Sequence, residues 1–247
     1  MIKKIAITFD VDWAPDYMIG ETYDLFRRCG GKSGTFYVTH ECKEIRELLH
    51  SSADVGSIEI GMHPNLAGMK ESSLSDFKKK LEDYYGISIV SSRFHRLEYS
   101  YRNLYELGDC GIKFDFSYLT YLQPLIFKNV ISDNIIQFPY HFEDGTFENM
   151  QTDKRGLNDF LVRQKIVNVT FHPFNVYMNT SSGEQRKSIL DKIDDLTEFK
   201  IESAKRLRDT SGFGTENIFI QMLHDIQRLE YQQCTSSEYA DEICNYW

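Results

Sequence analysis

Long hydrophobic runs are missing from this chain of 247 residues. No window approaches the roughly 20 apolar residues of a membrane span, and the amino terminus lacks the apolar stretch of about 7–15 residues that a secretion signal needs. The five cysteines are odd in number and scattered, with no two at the spacing of a zinc knuckle or a redox pair. They are typical of reduced thiols. We therefore expect a cytoplasmic protein without a membrane span.

Basic charge is also scarce. Lysine and arginine number 28 against 37 acidic residues, which gives a net charge of -9. Because phosphate binding needs a basic face, this balance argues against a nucleic-acid partner. Hydrophobic residues make up 41% of the chain and aromatic residues 14%, enough for one sizeable core. The composition does not indicate an oligomeric state.

Short β-rich segments alternate with helical patterns through the first 180 residues. Strands separated by helices favour parallel pairing with covering helices. Seven segments have the pattern of strands: residues 2–9, 34–39, 57–62, 87–91, 114–118, 135–140 and 166–171. This number exceeds what a small open sheet needs. It predicts an α/β fold, an irregular TIM-like (β/α) barrel of about seven strands.

The last quarter of the chain is helical and charged in pattern. Helix-spaced apolar residues in segments 185–208 and 216–231 predict C-terminal helices packed outside the barrel. No repeat and no linker rich in proline or glycine marks a second domain. We therefore predict one domain over residues 1–247, with a barrel of residues 1–180 and a helical extension of residues 183–247.

Polar clusters stand at the carboxyl ends of four predicted strands, in segments 8–12, 59–65, 93–96 and 169–175. A parallel barrel places its active site at that rim. Asp10 and Asp12 are two residues apart, so on an extended chain both carboxylates project to the same side. They would repel each other unless a cation or an arginine lay between them. The structural alternative is a turn or a helix cap.

Two histidines each precede a proline at a predicted strand end. Pro64 favours an extended backbone at His63, which orients the ring as a metal ligand requires. His172 has the same neighbour on another strand, and the convergence predicts a functional pair. His95 remains open between metal ligation and an anion clamp with the arginines beside it.

Further polar and aromatic residues are candidates for the mouth of the barrel. His141, Glu143 and Asp144 follow a predicted strand and could line it, although an ordinary turn at Asp144-Gly145 is equally consistent. Trp13 would suit stacking against a sugar ring. With Asn175 beyond the last strand, these residues form the predicted substrate-binding set.

The ordered motifs resemble those of the polysaccharide deacetylases with the NodB-type fold, carbohydrate esterase family 4. They are Ile7-Thr-Phe-Asp-Val-Asp12, Gly34-Thr-Phe-Tyr-Val38, Gly61-Met-His63, Arg93, Lys113-Phe-Asp-Phe-Ser117 and Val169-Thr-Phe-His172. Their order and spacing hold across residues 2–175, and the variant forms look closest to the WbmS-type branch, which is associated with bacterial surface-polysaccharide synthesis.

The resemblance implies a role for each matching residue. Asp10 would be the general base that activates water, and Arg93 would orient it. Asp12 and His63 would ligate a divalent metal, with zinc the first expectation. His172 would protonate the departing amine.

One position departs from the family pattern. The family has a further histidine four residues after the first, where this chain has Ala67. A catalytic zinc site normally has three protein ligands, so one ligand is unassigned. His95 is the first substitute, with His141, Glu143 or Asp144 behind it.

The resemblance implies a hydrolase of a non-peptide carbon–nitrogen bond. The leading hypothesis is N-deacetylation of an amino sugar in surface-polysaccharide or lipopolysaccharide biosynthesis, so the expected partner is an amino-sugar or glycan substrate. One alternative is a non-catalytic glycan-binding barrel that no longer binds the metal, because Ala67 stands where the family has a histidine. Another is a phosphatase of the haloacid-dehalogenase type with Asp10 as nucleophile.

Overall fold

A mostly parallel sheet forms the framework of the molecule. The computed structural model describes residues 2–51, 58–146 and 155–246, and these contain ten strands. They are β1 (Lys4–Asp10), β2 (Gly34–Val38), β3 (Ile58–Met62), β4 (Ser91–Ser92), β5 (Phe114–Leu119), β6 (Asn129–Ser132), β7 (Ile135–Tyr140), β8 (Phe142–Glu143), β9 (Ile166–Phe171) and β10 (Gln232–Cys234).

Helices connect and cover the strands. They are α1 (Asp16–Arg28), α2 (Lys43–His50), α3 (Leu74–Tyr85), α4 (Tyr101–Asp109), α5 (Arg155–Arg163), α6 (Pro173–Met178), α7 (Gly183–Leu190), α8 (Ile201–Leu207), α9 (Thr215–Arg228) and α10 (Ser236–Tyr246), with a 3-10 helix at His95–Leu97. None of the helices in the described ranges has the length and apolar character that a membrane span requires.

The strands form an irregular barrel. Hydrogen-bonded neighbours follow the order β6-β7-β5-β4-β3-β2-β1-β9-β8, and all of these pairs are parallel except β6 with β7. Only His141 separates β7 from β8, and its backbone N–H donates to the carbonyl of Asn168 on β9 at 2.7 Å. The interrupted strand β7–β8 therefore contacts both β5 and β9. The prediction of an irregular barrel with about seven strand positions is confirmed.

The central strands β1, β2 and β9 are buried on both faces along nearly their whole length, as parallel strands under helices usually are. In β9, Val167, Val169 and Phe171 belong to the core between the barrel and its helices. The alternating Thr170 bonds through its hydroxyl to Thr8 of β1, at 2.7 Å, inside the barrel. The period of two residues thus separates the helix-facing side chains from those that line the interior.

Local sequence explains α1 well. Its buried residues, Met18, Ile19, Thr22, Tyr23 and Phe26, recur at helix spacing. The helix is followed by Gly30, whose φ of +86° is the left-handed conformation that glycine adopts at little cost.

The segment after residue 183 departs from the predicted pattern in two places. The helical segment expected over residues 185–208 is interrupted between α7 and α8. In that interval the Asp195 carboxylate accepts hydrogen bonds from the backbone N–H and the hydroxyl of Thr197, at 2.9 and 2.7 Å. Such local side-chain bonds compete with the helical ones. The expected helical segment therefore consists of two separate helices.

The chain end is not wholly helical either, because β10 pairs with the first half of β1. After β10, α10 covers the amino-terminal end of the barrel. The backbone N–H groups of Ser236 and Ser237 donate to Thr35 and Glu59, at the starts of β2 and β3, at 2.9 Å each. The sequence pattern missed this strand because its partner lies more than 200 positions away. The predicted domain boundaries themselves stay a prediction.

Several strand bounds also differ from expectation: β1 is Lys4–Asp10 where residues 2–9 are expected, β2 ends at Val38, and β5 ends at Leu119. The segment predicted over residues 87–91 forms only the short strand β4, Ser91–Ser92. The strand expected over residues 57–62 is β3, Ile58–Met62, and its residue 57 lies outside the described part of the chain.

A candidate metal and proton-transfer site

A tight turn directs Asp12 after β1 ends at Asp10. Asp12 and Trp13 both have positive φ, 44° and 58°, and the N–H of Ala14 donates to the carbonyl of Val11 at 2.8 Å. Left-handed backbone is uncommon for such residues. The expectation that both carboxylates project from one extended strand is therefore wrong: Asp10 ends the strand, and the turn aims Asp12 at different partners.

Asp12 lies between two histidines. Its Oδ1 is 3.1 Å from Nε2 of His63 and 3.0 Å from Nδ1 of His95. Nδ1 of His63 is 2.6 Å from the carbonyl of Arg93 and donates to it. This second bond fixes the ring orientation and directs Nε2 at Asp12, so that Nε2 is the nitrogen available to a metal once its proton is lost.

The residues Asp12, His63 and His95 form the donor set of the site. Their ligand atoms lie within 4.8 Å of one another. One carboxylate and two imidazoles are donors that suit a divalent cation such as zinc, and a fourth position is left for water or substrate. The donor set therefore fits a metal. The structure thus brings together the two ligands implied by the resemblance and the first substitute, His95, while Ala67 is exposed.

The charges in the donor set are strongly coupled. Burial raises the pKa of Asp12, but hydrogen bonds from His63 and His95 outweigh burial and hold that pKa well below its usual range. Burial lowers the pKa of His63, but the charge of Asp10 and the bond to Asp12 raise it overall. Cation binding therefore has to displace a proton from this site.

Packing fixes the ring of His95. Trp13 meets it edge to face, with ring centroids 5.1 Å apart, and the rings of His63 and His95 are perpendicular at 5.4 Å. Trp13 is only partly buried, so it lies beside the donor set with one side open to solvent. Its predicted role in substrate binding stays a prediction.

Arg93 is fully buried and holds Asp10. Its Nη1 donates to Oδ1 of Asp10 at 2.8 Å, to the hydroxyl of Thr8 at 2.9 Å, and to the hydroxyl of Thr170. Burial lowers the pKa of Arg93, but the charge of Asp10 raises it above its ordinary value. A buried charge of this kind is tolerated only when it is paired and hydrogen-bonded.

Two aromatic rings enclose the same guanidinium. The ring centroids of Tyr37 and Tyr140 lie 4.5 and 4.2 Å from Cζ of Arg93, within cation–π distance. Gly61 makes room for the first ring, because a Cβ there would meet the Tyr37 ring at 2.3 Å. Arg93 is therefore a rigid support for Asp10 and not an exposed clamp for an anion.

His172 is paired with Asp144. Nδ1 of His172 is 2.5 Å from Oδ1 of Asp144, and the backbone N–H of His172 donates to Oδ2 at 2.9 Å. Burial lowers the pKa of His172, but Asp144 outweighs burial and raises it well above the ordinary value. Nε2 of His172 lies 3.4 Å from Oδ2 of Asp12, so this ring faces the donor set.

Two of the predicted substrate-binding residues have other positions. Asp144 is fully buried behind His172 and does not line the mouth. His141 is also fully buried: Nδ1 accepts from the N–H of Asn168 and Nε2 donates to the carbonyl of Leu125, each at 3.1 Å. Burial lowers the pKa of His141 to about 4, so it is a neutral structural residue. Asn175 is buried in α6, and its role stays a prediction.

Glu143 is the site residue that the sequence underrated. Oε2 of Glu143 accepts from the hydroxyls of Tyr140 and Thr146, at 3.4 and 3.1 Å, and Oε1 lies 3.9 Å from Nε2 of His172. Burial raises the pKa of this carboxyl. The sequence suggested Glu143 as a substitute ligand and as a residue that could line the mouth, and its position shortly after a predicted strand was the available signal.

The fold is shared with solved structures. A proposed polysaccharide deacetylase involved in O-antigen biosynthesis from Bordetella bronchiseptica aligns with a TM-score of 0.73 and 23% identity over 89% of each chain. A 4-alpha-glucanotransferase from Thermococcus litoralis aligns with a TM-score of 0.52 and 13% identity, over 97% of this chain and 38% of that one. At these identities the likeness shows the fold alone.

The sequence comparison identifies the family. No curated protein gives a significant match. The family described as WbmS-like polysaccharide deacetylase matches residues 7–189, which is most of the chain. The matched range includes every residue of the donor set and the two buried pairs, Asp10–Arg93 and His172–Asp144. This protein therefore belongs to the WbmS-like polysaccharide deacetylase family.

Proposed function

We propose that this protein is a metal-dependent hydrolase that removes the acetyl group from an N-acetylated amino sugar. One observation carries the proposal: the donor set, the Asp10–Arg93 pair and the His172–Asp144 pair meet at one rim of the barrel. Family membership supports a glycan as the substrate class.

The donor set would hold a divalent cation, and we propose zinc. When bound, the cation supplies positive charge that polarises the amide carbonyl and lowers the pKa of a water molecule. His63 is already held in the required orientation by the carbonyl of Arg93.

The two buried pairs would move the protons. As the new C–O bond forms, Asp10 accepts a proton from the attacking water, and Arg93 holds this carboxylate in place. As the C–N bond breaks, His172 delivers the proton on Nε2 to the departing nitrogen. Asp144 keeps His172 protonated and oriented until that step. The products are acetate and a free amine.

We place the reaction in the synthesis of bacterial surface polysaccharide, with a cytoplasmic amino-sugar substrate. The Bordetella bronchiseptica structure, described as involved in O-antigen biosynthesis, supports this choice. The haloacid-dehalogenase alternative is wrong, because the chain belongs to a different family and Asp10 is held by buried Arg93.

The proposal is tested by metal content and acetate release. We expect near-stoichiometric divalent metal by inductively coupled plasma mass spectrometry and free acetate from N-acetyl sugars. His63→Ala and His95→Ala should each weaken zinc binding by more than about 100-fold, because removing a ligand costs more affinity than removing a hydrogen-bond partner that only orients a ligand. His40→Ala, a histidine outside the donor set, serves as the matched control.

The outcomes separate the alternatives. Protein that stays empty after incubation with zinc, cobalt, nickel or manganese would overturn the mechanism. Stoichiometric metal without acetate release from a broad panel of N-acetyl sugars would favour the non-catalytic glycan-binding barrel.

A further inference from the structure

Glu143 faces the nitrogen that we propose as the proton donor, yet it belongs neither to the donor set nor to the two buried pairs. It ends β8, which pairs with β9 in the register Glu143 to Thr170. His172 is the second residue beyond Thr170, so this pairing brings Glu143 and His172 to the same edge of the sheet. The Glu143 side chain is 22% exposed and the His172 imidazole 8%, so the carboxyl is the more accessible of the two groups.

Two hydroxyl groups hold one side of the Glu143 carboxyl. Tyr140 and Thr146 donate to Oε2, and the Tyr140 ring is itself packed on the guanidinium of Arg93. The carboxyl is therefore anchored through a buried aromatic ring, with its other oxygen directed toward His172.

The distance from that oxygen to His172 is too long for a direct hydrogen bond. It would allow one substrate atom to contact both groups. Oε1 of Glu143 and Nε2 of His172 are 3.9 Å apart. A departing nitrogen must come within about 3 Å of Nε2 to receive its proton. An atom placed there can also lie within hydrogen-bond distance of Oε1, because Oε1 and Nε2 are less than two such distances apart.

We propose that Glu143 accepts a hydrogen bond from the N–H of the scissile amide and so selects acetamido over acetyl-ester substrates. This inference rests on the proposed function and names the substrate class more closely. An amide nitrogen carries a donor, whereas the ester oxygen in the same place carries only lone pairs, which a carboxylate repels.

The same contact continues after the bond breaks. When His172 delivers its proton, the nitrogen still bonded to carbon carries two N–H donors and a positive charge, which it loses as the C–N bond breaks and the free amine forms. A carboxylate beside it stabilises the positive charge as it develops. Glu143 is then a residue that recognises the nitrogen in both the substrate and the product.

A matched pair of substrates tests the inference. Methyl 2-acetamido-2-deoxyglucoside and methyl 2-O-acetylglucoside differ at the reacting centre only in N–H against oxygen. In Glu143→Met, which removes the acceptor with little change of volume, we expect the ratio of kcat/KM for amide over ester to fall about 10- to 100-fold. Glu143→Gln, which keeps a neutral acceptor oxygen, should give an intermediate ratio. Glu47→Met, the same change on the exposed face of α2, should leave the ratio unaltered.

A binding measurement separates this inference from the proposed function. By calorimetry, the wild-type protein should bind methyl 2-amino-2-deoxyglucoside more tightly than methyl glucoside, and both Glu143 variants should lose that preference. Glu143-dependent amine binding without any hydrolysis would leave the inference standing and overturn the deacetylase proposal. An unchanged amide-to-ester ratio in Glu143→Met, or equal binding of both glycosides by the wild type, would overturn the inference. General damage to the fold would lower amide and ester turnover together and leave their ratio unchanged.

Discussion

Both carboxylate oxygens of Asp144 are bound by His172, one through Nδ1 at 2.5 Å and the other through the backbone N–H at 2.9 Å. The two residues stand at the ends of neighbouring strands, because β8 pairs with β9. The double contact fixes the rotation of the imidazole and leaves Nε2 facing the donor set. An ordinary turn at Asp144 would not produce this geometry.

Replacing this carboxylate tests the role of the pair. Asp144→Asn keeps the shape but removes the charge that raises the pKa of His172. At pH 7 we expect acetate release to fall about 100-fold, the usual contribution of a general acid, while zinc content stays unchanged. Wild-type turnover in this variant would contradict the assignment of His172 as proton donor.

The Asp10–Arg93 pair should be strongly coupled in stability. Arg93→Met leaves a buried carboxylate without its partner, so we expect the free energy of unfolding to fall by about 3–5 kcal/mol. Asp10→Asn added to Arg93→Met removes that orphan charge, so the double variant should lose at least about 1 kcal/mol less than the sum of the single losses. Urea unfolding of all four proteins measures the coupling, and strict additivity would show that the two side chains act separately.

His141 should make the fold sensitive to acid. Burial lowers its pKa to about 4, whereas an unfolded histidine titrates near pH 6.5. The unfolded chain therefore binds a proton first as the pH falls, and stability is lost between about pH 6.5 and pH 4. Over that range the wild type should lose about 3 kcal/mol more than His141→Gln. Urea unfolding at several pH values measures the difference, and parallel pH profiles would refute the buried neutral state.

The last helix should be essential to the barrel. Tyr239 of α10 is fully buried in the interior cluster, with its ring centroid 6.1 Å from that of Phe116. Tyr239→Ala should lower the free energy of unfolding by about 3–5 kcal/mol, as truncation of a buried aromatic does. Tyr101→Ala, at a residue that is 66% exposed, should change it by no more than about 0.5 kcal/mol. Similar values for both variants would show that α10 is dispensable.

Much of the fold could be predicted from local pattern. The bounds of β9 agree with expectation, because they depend on the apolar pattern within a few residues. The prediction from local pattern failed where a side chain bonds to nearby backbone, as at Asp195, which lies where the expected helical segment is interrupted. It also failed where pairing is distant, as between β10 and β1.

The sequence by itself determined that this chain is an alternating α/β barrel with Asp10, Asp12, His63, Arg93 and His172 at one rim. Apolar periodicity is local, and parallel strands all end on the same side, so strand-end residues must meet there. Tertiary structure alone decided which of them touch. The bond between His95 and Asp12 spans 83 positions and depends on a left-handed turn, and the bond between His172 and Asp144 spans 28. Contacts over such distances are set by strand register and packing, which no local pattern encodes.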